Sequence, residues 1–154
     1  VIVLSQFVEL TGPRRRRLKT ELTRESFAKV DAFLSDFAAR GQRNEEMSDR
    51  LRAVGEELLL TLTRQEAGGG PRAKRHLLLV ARNDGDAVDL EFAAATDEAN
   101  LEDQLALLTE QGAGAPTEEE ISLRLLHHYA SSVRHQQFHD TDVVTVRVGP
   151  SASL

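Results

Sequence analysis

The chain contains no cysteine and no tryptophan, and only one methionine and one tyrosine among its 154 residues. Without cysteine it can form no disulfide bond, no thiolate metal site and no thiol intermediate, which is compatible with a reducing compartment. The apolar opening of the chain, residues 1–10, is too short to be a transmembrane helix, which needs about 20 residues. Ser5, Gln6 and Glu9 also interrupt it.

The chain also has no excess of basic residues. The chain has 25 acidic and 19 basic residues and a formal net charge of -6, which argues against nucleic acid as a partner because phosphate contacts need a basic surface. Hydrophobic residues make up 40% and charged residues 29% of the sequence, as in soluble folded proteins. The length is that of one domain.

The two ends of the chain suggest a piece of a longer protein. The chain begins with Val1, and its only methionine is Met47, so we expect residues 1–15 to be a linker or the end of a missing upstream domain, and residues 149–154 to be a tail. The basic run at residues 14–17 has two interpretations: a collar at the cytoplasmic face of an upstream membrane domain, or a solvated linker. We expect a cytoplasmic domain, which the first interpretation would place at the cytoplasmic face of the membrane.

Hydrophobic periodicity predicts the first half of the fold. Residues 16–22 alternate as in a strand. Residues 25–41 repeat apolar side chains at helical spacing, and a second helix begins near Asn44 or Ser48 and extends past Leu62. Two strand-like runs then flank residues 83–86, where Asp84-Gly85 indicates a tight turn that tolerates a positive φ.

In the second half of the chain, the patterns predict further helix followed by a second hairpin. Helical patterns cover residues 100–110 and 118–131, with Tyr129 inward, and strands at 133–139 and 143–148 flank a turn at 140–142. The predicted order is therefore β-α-α-β-β-α-β-β. This order indicates an α+β fold, a two-layer sandwich of a mostly antiparallel sheet with helices on one face.

From residue 16 to residue 148 the chain resembles the histidine-kinase-type ATPase superfamily (Bergerat fold), in particular its anti-sigma-factor serine kinase branch. Residues 55–65 read GEELLLTLTRQ, similar to the family phrase EELLTNAIKH. The LEF of residues 90–92 resembles the strand before the family's first glycine box. The closing Ala-Ser-Ser-Val phrase and VVTVRV resemble its last hairpin.

The resemblance also implies that the nucleotide site is degenerate. The metal-holding asparagine of the family corresponds to Thr61, and the box DxGxG corresponds to residues 94–98, with Ala94, Thr96 and Glu98 at its defining positions. The second glycine-rich phrase falls on residues 120–125, where Glu120 and Ser122 replace glycines. Alanine offers no acceptor to an adenine amino group, and the glutamates would repel phosphate.

These losses favour a regulatory or protein-interaction domain with no catalytic activity, no metal and no cofactor. Its partner would be a protein, and the resemblance makes a homodimer a reasonable expectation. The alternative is a divergent serine kinase that still binds ATP and magnesium. In that case Glu57, which matches the glutamate of the family phrase, would be the general base. A solvated helix glutamate beside Glu56 is the simpler interpretation of that residue.

A group of histidines near the end of the chain admits a second kind of site. His127, His128, His135 and His139 lie close in sequence, and the last two, with Asp140 or Asp142, have the residue types that bind zinc or nickel. The simpler interpretation follows from strand alternation, which puts His135, Gln137 and His139 on one face. We therefore expect a polar surface of an exposed hairpin and assign no metal.

Overall fold

The computed structural model describes residues 15–67, 75–96, 129–138 and 141–149. Two helices and five strands fall within these ranges. In chain order they are β1 (Arg15–Glu21), α1 (Glu25–Arg40), α2 (Glu45–Ala67), β2 (His76–Asp84), β3 (Ala87–Ala95), β4 (Ser132–Phe138) and β5 (Thr141–Val148).

All five strands belong to one antiparallel sheet with the order β1-β2-β3-β5-β4. Side chains of β3 and β5 alternate between the faces, and the even-numbered positions 88–94 and 144–148 face the helices. The two helices and this face enclose the main core, so the predicted two-layer α+β sandwich is confirmed. Its largest fully buried side chains are Phe37, Phe92, Leu34, Leu51, Leu58, Leu59, Leu62, Leu77, Leu79 and Leu90.

Several predicted boundaries move by one or two residues. Asn44 caps α2 through its side-chain oxygen, which accepts a hydrogen bond from the Met47 backbone N–H at 2.8 Å. Strand β5 begins at Thr141 and not at residue 143, so Asp142 lies in the strand, and the turn predicted at 140–142 was wrong. Tyr129 is helical and packs against the core, as predicted. The rest of the predicted helix at 118–131, and the one at 100–110, lie outside the described residues.

Across the described ranges no helix combines the length and the apolar character that crossing a bilayer requires. The domain boundaries at residues 16 and 148 stay a prediction.

The two helices approach each other closely at Gly55 of α2. A Cβ atom at this position would lie 2.7 Å from Leu34 Cδ1 and 3.1 Å from Val30 Cγ1, and both of these side chains of α1 are almost completely buried. Both side chains would have to move aside, which a close-packed interface resists. Glycine is therefore required here by packing, even though it is a poor helix former.

Replacing Gly55 by valine should lower the free energy of unfolding by about 1–3 kcal/mol, because the added methyl groups overpack the interface between α1 and α2. Urea denaturation would measure the loss. Valine at the adjacent exposed Glu56 controls for the helix propensity of valine and should have a much smaller effect. Equal losses at the two positions would contradict the packing argument.

Two arginines join the helix layer to the ends of the strands. Arg43, in the connection between the helices, makes five hydrogen-bond contacts with the β2–β3 turn through four N–H groups: Nε and Nη2 contact Asn83 Oδ1 at 3.1 and 2.9 Å, Nη1 contacts the carbonyl oxygen of Asp86, and Nη2 also contacts the carbonyl oxygens of Gly85 and Ala87. The φ of Gly85 is 58°, which confirms the predicted tight turn. Arg50 of α2 donates to the carbonyl oxygens of Gly149 at 2.6 Å and Tyr129 at 2.8 Å.

The face of the sheet that points away from α1 and α2 carries a second, smaller apolar cluster. It comprises Leu78, Val80, Ala93, Ala95 and Val143. Glu91 lies on the same face, between Val80 and Thr145 on the neighbouring strands. Burial raises the pKa of this half-buried carboxyl, and the positive charges of Arg82 and Arg15 oppose the rise only in part.

Glu91→Gln should stabilise the protein at pH 7, by less than about 1 kcal/mol because the side chain is only half-buried. A carboxyl whose pKa is raised by folding disfavours the folded state once the pH exceeds its unfolded pKa, and the amide removes that cost. The gain should disappear near pH 4, where the carboxyl is largely protonated. Thermal melts at both pH values measure it, with the exposed Glu21→Gln as control. The same gain at pH 4 would contradict the titration argument.

Candidate functional site

The positions that the resemblance assigns to a nucleotide begin on α2. Thr61 is 5% exposed, and its hydroxyl donates a hydrogen bond of 2.9 Å to the backbone carbonyl of Glu57, one turn earlier. This local bond uses the only hydrogen of the hydroxyl within the helix. Glu57 itself is half-exposed. Thr61 therefore lies in the packed layer between helix and sheet.

The next positions lie at the end of β3. Ala94 is fully buried on the face of the sheet that packs against the helices, paired with Leu77 of β2 and Asp142 of β5. It belongs to the same core cluster as Leu58 and Leu62, which flank Thr61 on α2. Thr96 follows the strand and is exposed. Glu98, Glu120 and Ser122 lie outside the described residues.

An ionic cluster lies beside Ala94 on this face of the sheet. Arg75 Nη2 donates to Asp142 Oδ2 at 2.6 Å and to the backbone carbonyl of Ala94 at 3.0 Å. His135 Nε2 lies 3.0 Å from Asp142 Oδ1. The three side chains are 12%, 6% and 1% exposed for Arg75, Asp142 and His135 respectively. We call these three residues the Arg75–Asp142–His135 cluster.

The local structure explains why the three side chains meet. Successive side chains of a strand point to opposite faces, so Asp142 lies on the same face as Val144 and Val146, which face the helices. His135 pairs directly with Val144 on the neighbouring strand β4 and shares this face. The backbone carbonyl of Arg75 accepts a hydrogen bond from the N–H of Leu22 at 2.8 Å, which holds Arg75 at the start of β2.

Two opposing effects set the charge of Asp142. Burial alone would raise the pKa of this carboxyl, but the hydrogen bonds from His135 and Arg75, together with their charges, lower its pKa below the ordinary value. The carboxylate is therefore ionised at neutral pH. An ionised carboxylate only accepts hydrogen bonds, so Nε2 of His135 carries the hydrogen in this contact.

The cluster corrects the interpretation of the histidines. His135 was expected on the polar surface of an exposed hairpin, yet it is 3% exposed and bonded to Asp142, whereas Gln137 is exposed. In the parts of the chain that the structure describes, no group of three or more histidine and carboxylate side chains is arranged to hold a metal. His127, His128, His139 and Asp140 lie outside those parts.

Sequence reasoning overlooked Arg75 and Arg43. Arg75 closes a basic segment at residues 72–75 that indicates a mobile connector, and the tight turn at 83–86 gives no sign of an arginine partner 40 residues earlier. One signal for Asp142 was available. Asp142 is two residues before Val144, so it falls on the same face of the strand as the three core valines that follow at every second position. A carboxylate on that face requires a buried partner, which could have been predicted.

Comparison with known proteins adds little to these observations. No protein-family model matches the chain, and no curated protein matches it. Among solved structures, one that resembles the chain belongs to the SiaB-SiaC complex from Pseudomonas aeruginosa. The match has a TM-score of 0.48 and 12% sequence identity and covers 94% of this chain and 96% of that chain. A likeness of this degree carries no argument about site or activity.

Proposed function

We propose that this chain is a non-catalytic regulatory or protein-interaction domain, built on a scaffold similar to the histidine-kinase-type ATPases, whose nucleotide site is lost. The observation that carries the proposal is the Arg75–Asp142–His135 cluster. It is buried beside Ala94, the position where the resemblance implies the adenine-binding aspartate.

The cluster supports the loss of base recognition in two ways. The methyl group of Ala94 offers neither a donor nor an acceptor to a base. The backbone carbonyl of the same residue already accepts a hydrogen bond from Arg75, and both oxygens of Asp142 are also occupied. Opening this region to a ligand would separate buried charges from their partners, which is costly in a medium of low polarity.

The remaining positions support loss of the phosphate and metal contacts. The Thr61 hydroxyl donates within its own helix, and its reach is shorter than that of an asparagine carbonyl. Glu98 and Glu120 stand where the resemblance implies glycines, and their charges would repel phosphate. Without a bound nucleotide there is no phosphoryl group to transfer, so a general base at Glu57 would have no reaction to assist. A protein partner, homodimerisation and attachment to an upstream membrane domain remain parts of the proposal.

Titration calorimetry with magnesium and a non-hydrolysable ATP analogue tests the proposal. We expect no binding in the micromolar range, and incubation with labelled ATP should leave the protein and added protein substrates unphosphorylated. A catalytically competent serine kinase of the same family, titrated in parallel, controls for the nucleotide. Micromolar binding that is abolished by Thr61→Ala would overturn the proposal in favour of the kinase alternative.

Light scattering tests the predicted homodimer separately. The proposed homodimer predicts a mass of about twice the 17.0 kDa chain. A monomer at every accessible concentration would remove the homodimer from the proposal but leave the loss of the nucleotide site unaffected.

A further inference from the structure

A cavity of about 380 Å³ lies where the connection between α1 and α2, the first turns of α2 and the β2–β3 turn meet. It is at the opposite end of β2 from Arg75, so it is separate from the positions discussed above. The residues that matter for its chemistry are Arg43, Arg50, Glu46, Asp86, Asn44 and Met47.

Two half-buried guanidinium groups, those of Arg43 and Arg50, line the cavity. Both are anchored by backbone carbonyl oxygens, and Arg43 also by the side-chain amide oxygen of Asn83. These acceptors are uncharged. Among the described residues, neither arginine forms an ion pair with a carboxylate. Two positive charges are therefore held in place without a neutralising partner.

Hydrogen-bond donors are left over at the same place. A guanidinium has five N–H donors, and Arg50 uses two of them on Gly149 and Tyr129, which leaves its Nε–H and one N–H on each terminal nitrogen. Arg43 uses one of the two N–H groups on Nη1. Arg50 can therefore offer paired N–H groups to an oxyanion, and Arg43 can add its charge and a single N–H.

The carboxylates around the cavity do not cancel this charge. Glu46 and Asp86 are both exposed, whereas the two arginines are half-buried. Solvent and salt screen exposed charges more strongly than partly buried ones. The cavity is also within the size range of small-molecule sites. The local balance therefore favours a small anion over a cation.

From this geometry we infer that the cavity binds a small oxyanion with at least two charged oxygens, such as inorganic phosphate or a dicarboxylate, which Arg43 and Arg50 hold together. The site is independent of the proposed loss of nucleotide binding.

Titration of the ¹⁵N-labelled chain with sodium phosphate and with sodium succinate tests this inference. Sodium chloride at equal ionic strength is the control. We expect saturable shifts of the backbone amides of residues 42–47 and of the Nε–H signals of Arg43 and Arg50, with millimolar or tighter affinity. Shifts that do not saturate, or that chloride reproduces, would overturn the inference.

Variants separate a specific site from a general effect of charge. Glu46→Gln should tighten phosphate binding about 2–5-fold, because it removes one negative charge from the rim of the cavity. Glu45→Gln changes the same charge in the same helical turn outside the cavity lining and should change nothing. Equal tightening by the two variants would contradict the site.

Arg50→Lys provides the complementary measurement. Lysine keeps the charge but not the paired donors, so binding should weaken about tenfold while the circular dichroism spectrum is retained. Unchanged affinity in this variant would also contradict the site. Because Glu46→Gln is expected to improve binding, its result does not depend on whether Arg50→Lys is fully stable.

Discussion

Asp142→Ala should lower the free energy of unfolding by about 3–5 kcal/mol, the range found when one partner of a buried ion pair is removed. The substitution removes a buried carboxylate that accepts hydrogen bonds from Arg75, only 12% exposed, and from the ring of His135. The loss comes mainly from the buried donors of Arg75 and His135 that lose this charged acceptor. Urea denaturation at pH 7 measures it.

The chain offers a matched control for this prediction. Arg16 Nη1 and Asp36 Oδ2 are also 2.6 Å apart, the same donor–acceptor distance as between Arg75 and Asp142. The difference is exposure, because the side chains of Arg16 and Asp36 are 33% and 49% exposed. Asp36→Ala should therefore have a far smaller effect. Similar losses for Asp36→Ala and Asp142→Ala would show that burial does not determine the energetics of the cluster.

The same carboxylate predicts the response to acid. The pKa of Asp142 is lowered by folding, so its contribution to stability is complete above the unfolded value of about 3.9 and is lost as the pH falls through the lower folded value. Thermal melts between pH 7 and pH 2 should therefore show a loss in the wild-type chain that is smaller in Asp142→Asn. Parallel curves for the two proteins would contradict the shift.

Arg43→Ala should lower the free energy of unfolding by about 2–4 kcal/mol, because hydrogen bonds to charged groups contribute about 1.5–3 kcal/mol and several carbonyl oxygens lose their donor together. Arg43 makes five hydrogen-bond contacts with the β2–β3 turn through four N–H groups. Hydrogen exchange should speed up in the turn before it does so in the middle of β2 and β3.

Arg43→Lys separates the charge from the shape of the side chain. An ammonium group cannot reach Asn83 and three carbonyl oxygens at once, so lysine should recover less than half of the loss. Alanine at the nearby Arg40, whose side chain is 67% exposed, provides the control and should have only a small effect. Full rescue by lysine would mean that the positive charge alone holds the turn.

Both predictions concern connections that sequence patterns could not identify. The distance along the chain is 67 residues from Arg75 to Asp142 and 40 residues from Arg43 to Asn83. Local periodicity extends over one or two turns of a helix or a few residues of a strand, and so it contains no information about such pairs. The hairpin at residues 83–86 was predictable for the opposite reason, since the positive φ of Gly85 is a local requirement.

The sequence by itself determined the class of fold, the order of the described elements and the glycine turn, because these depend on apolar spacing and on backbone preferences that act over short distances. The proposed degeneracy of the nucleotide site also rests on residue identities, at Thr61 and Ala94 among others. Only the tertiary structure decided what surrounds them. The pairing of β4 with β5 and of β5 with β3 moves His135 and Asp142 from a predicted exposed hairpin into the core, where the buried carboxylate of Asp142 requires partners and finds them in Arg75 and in the ring of His135.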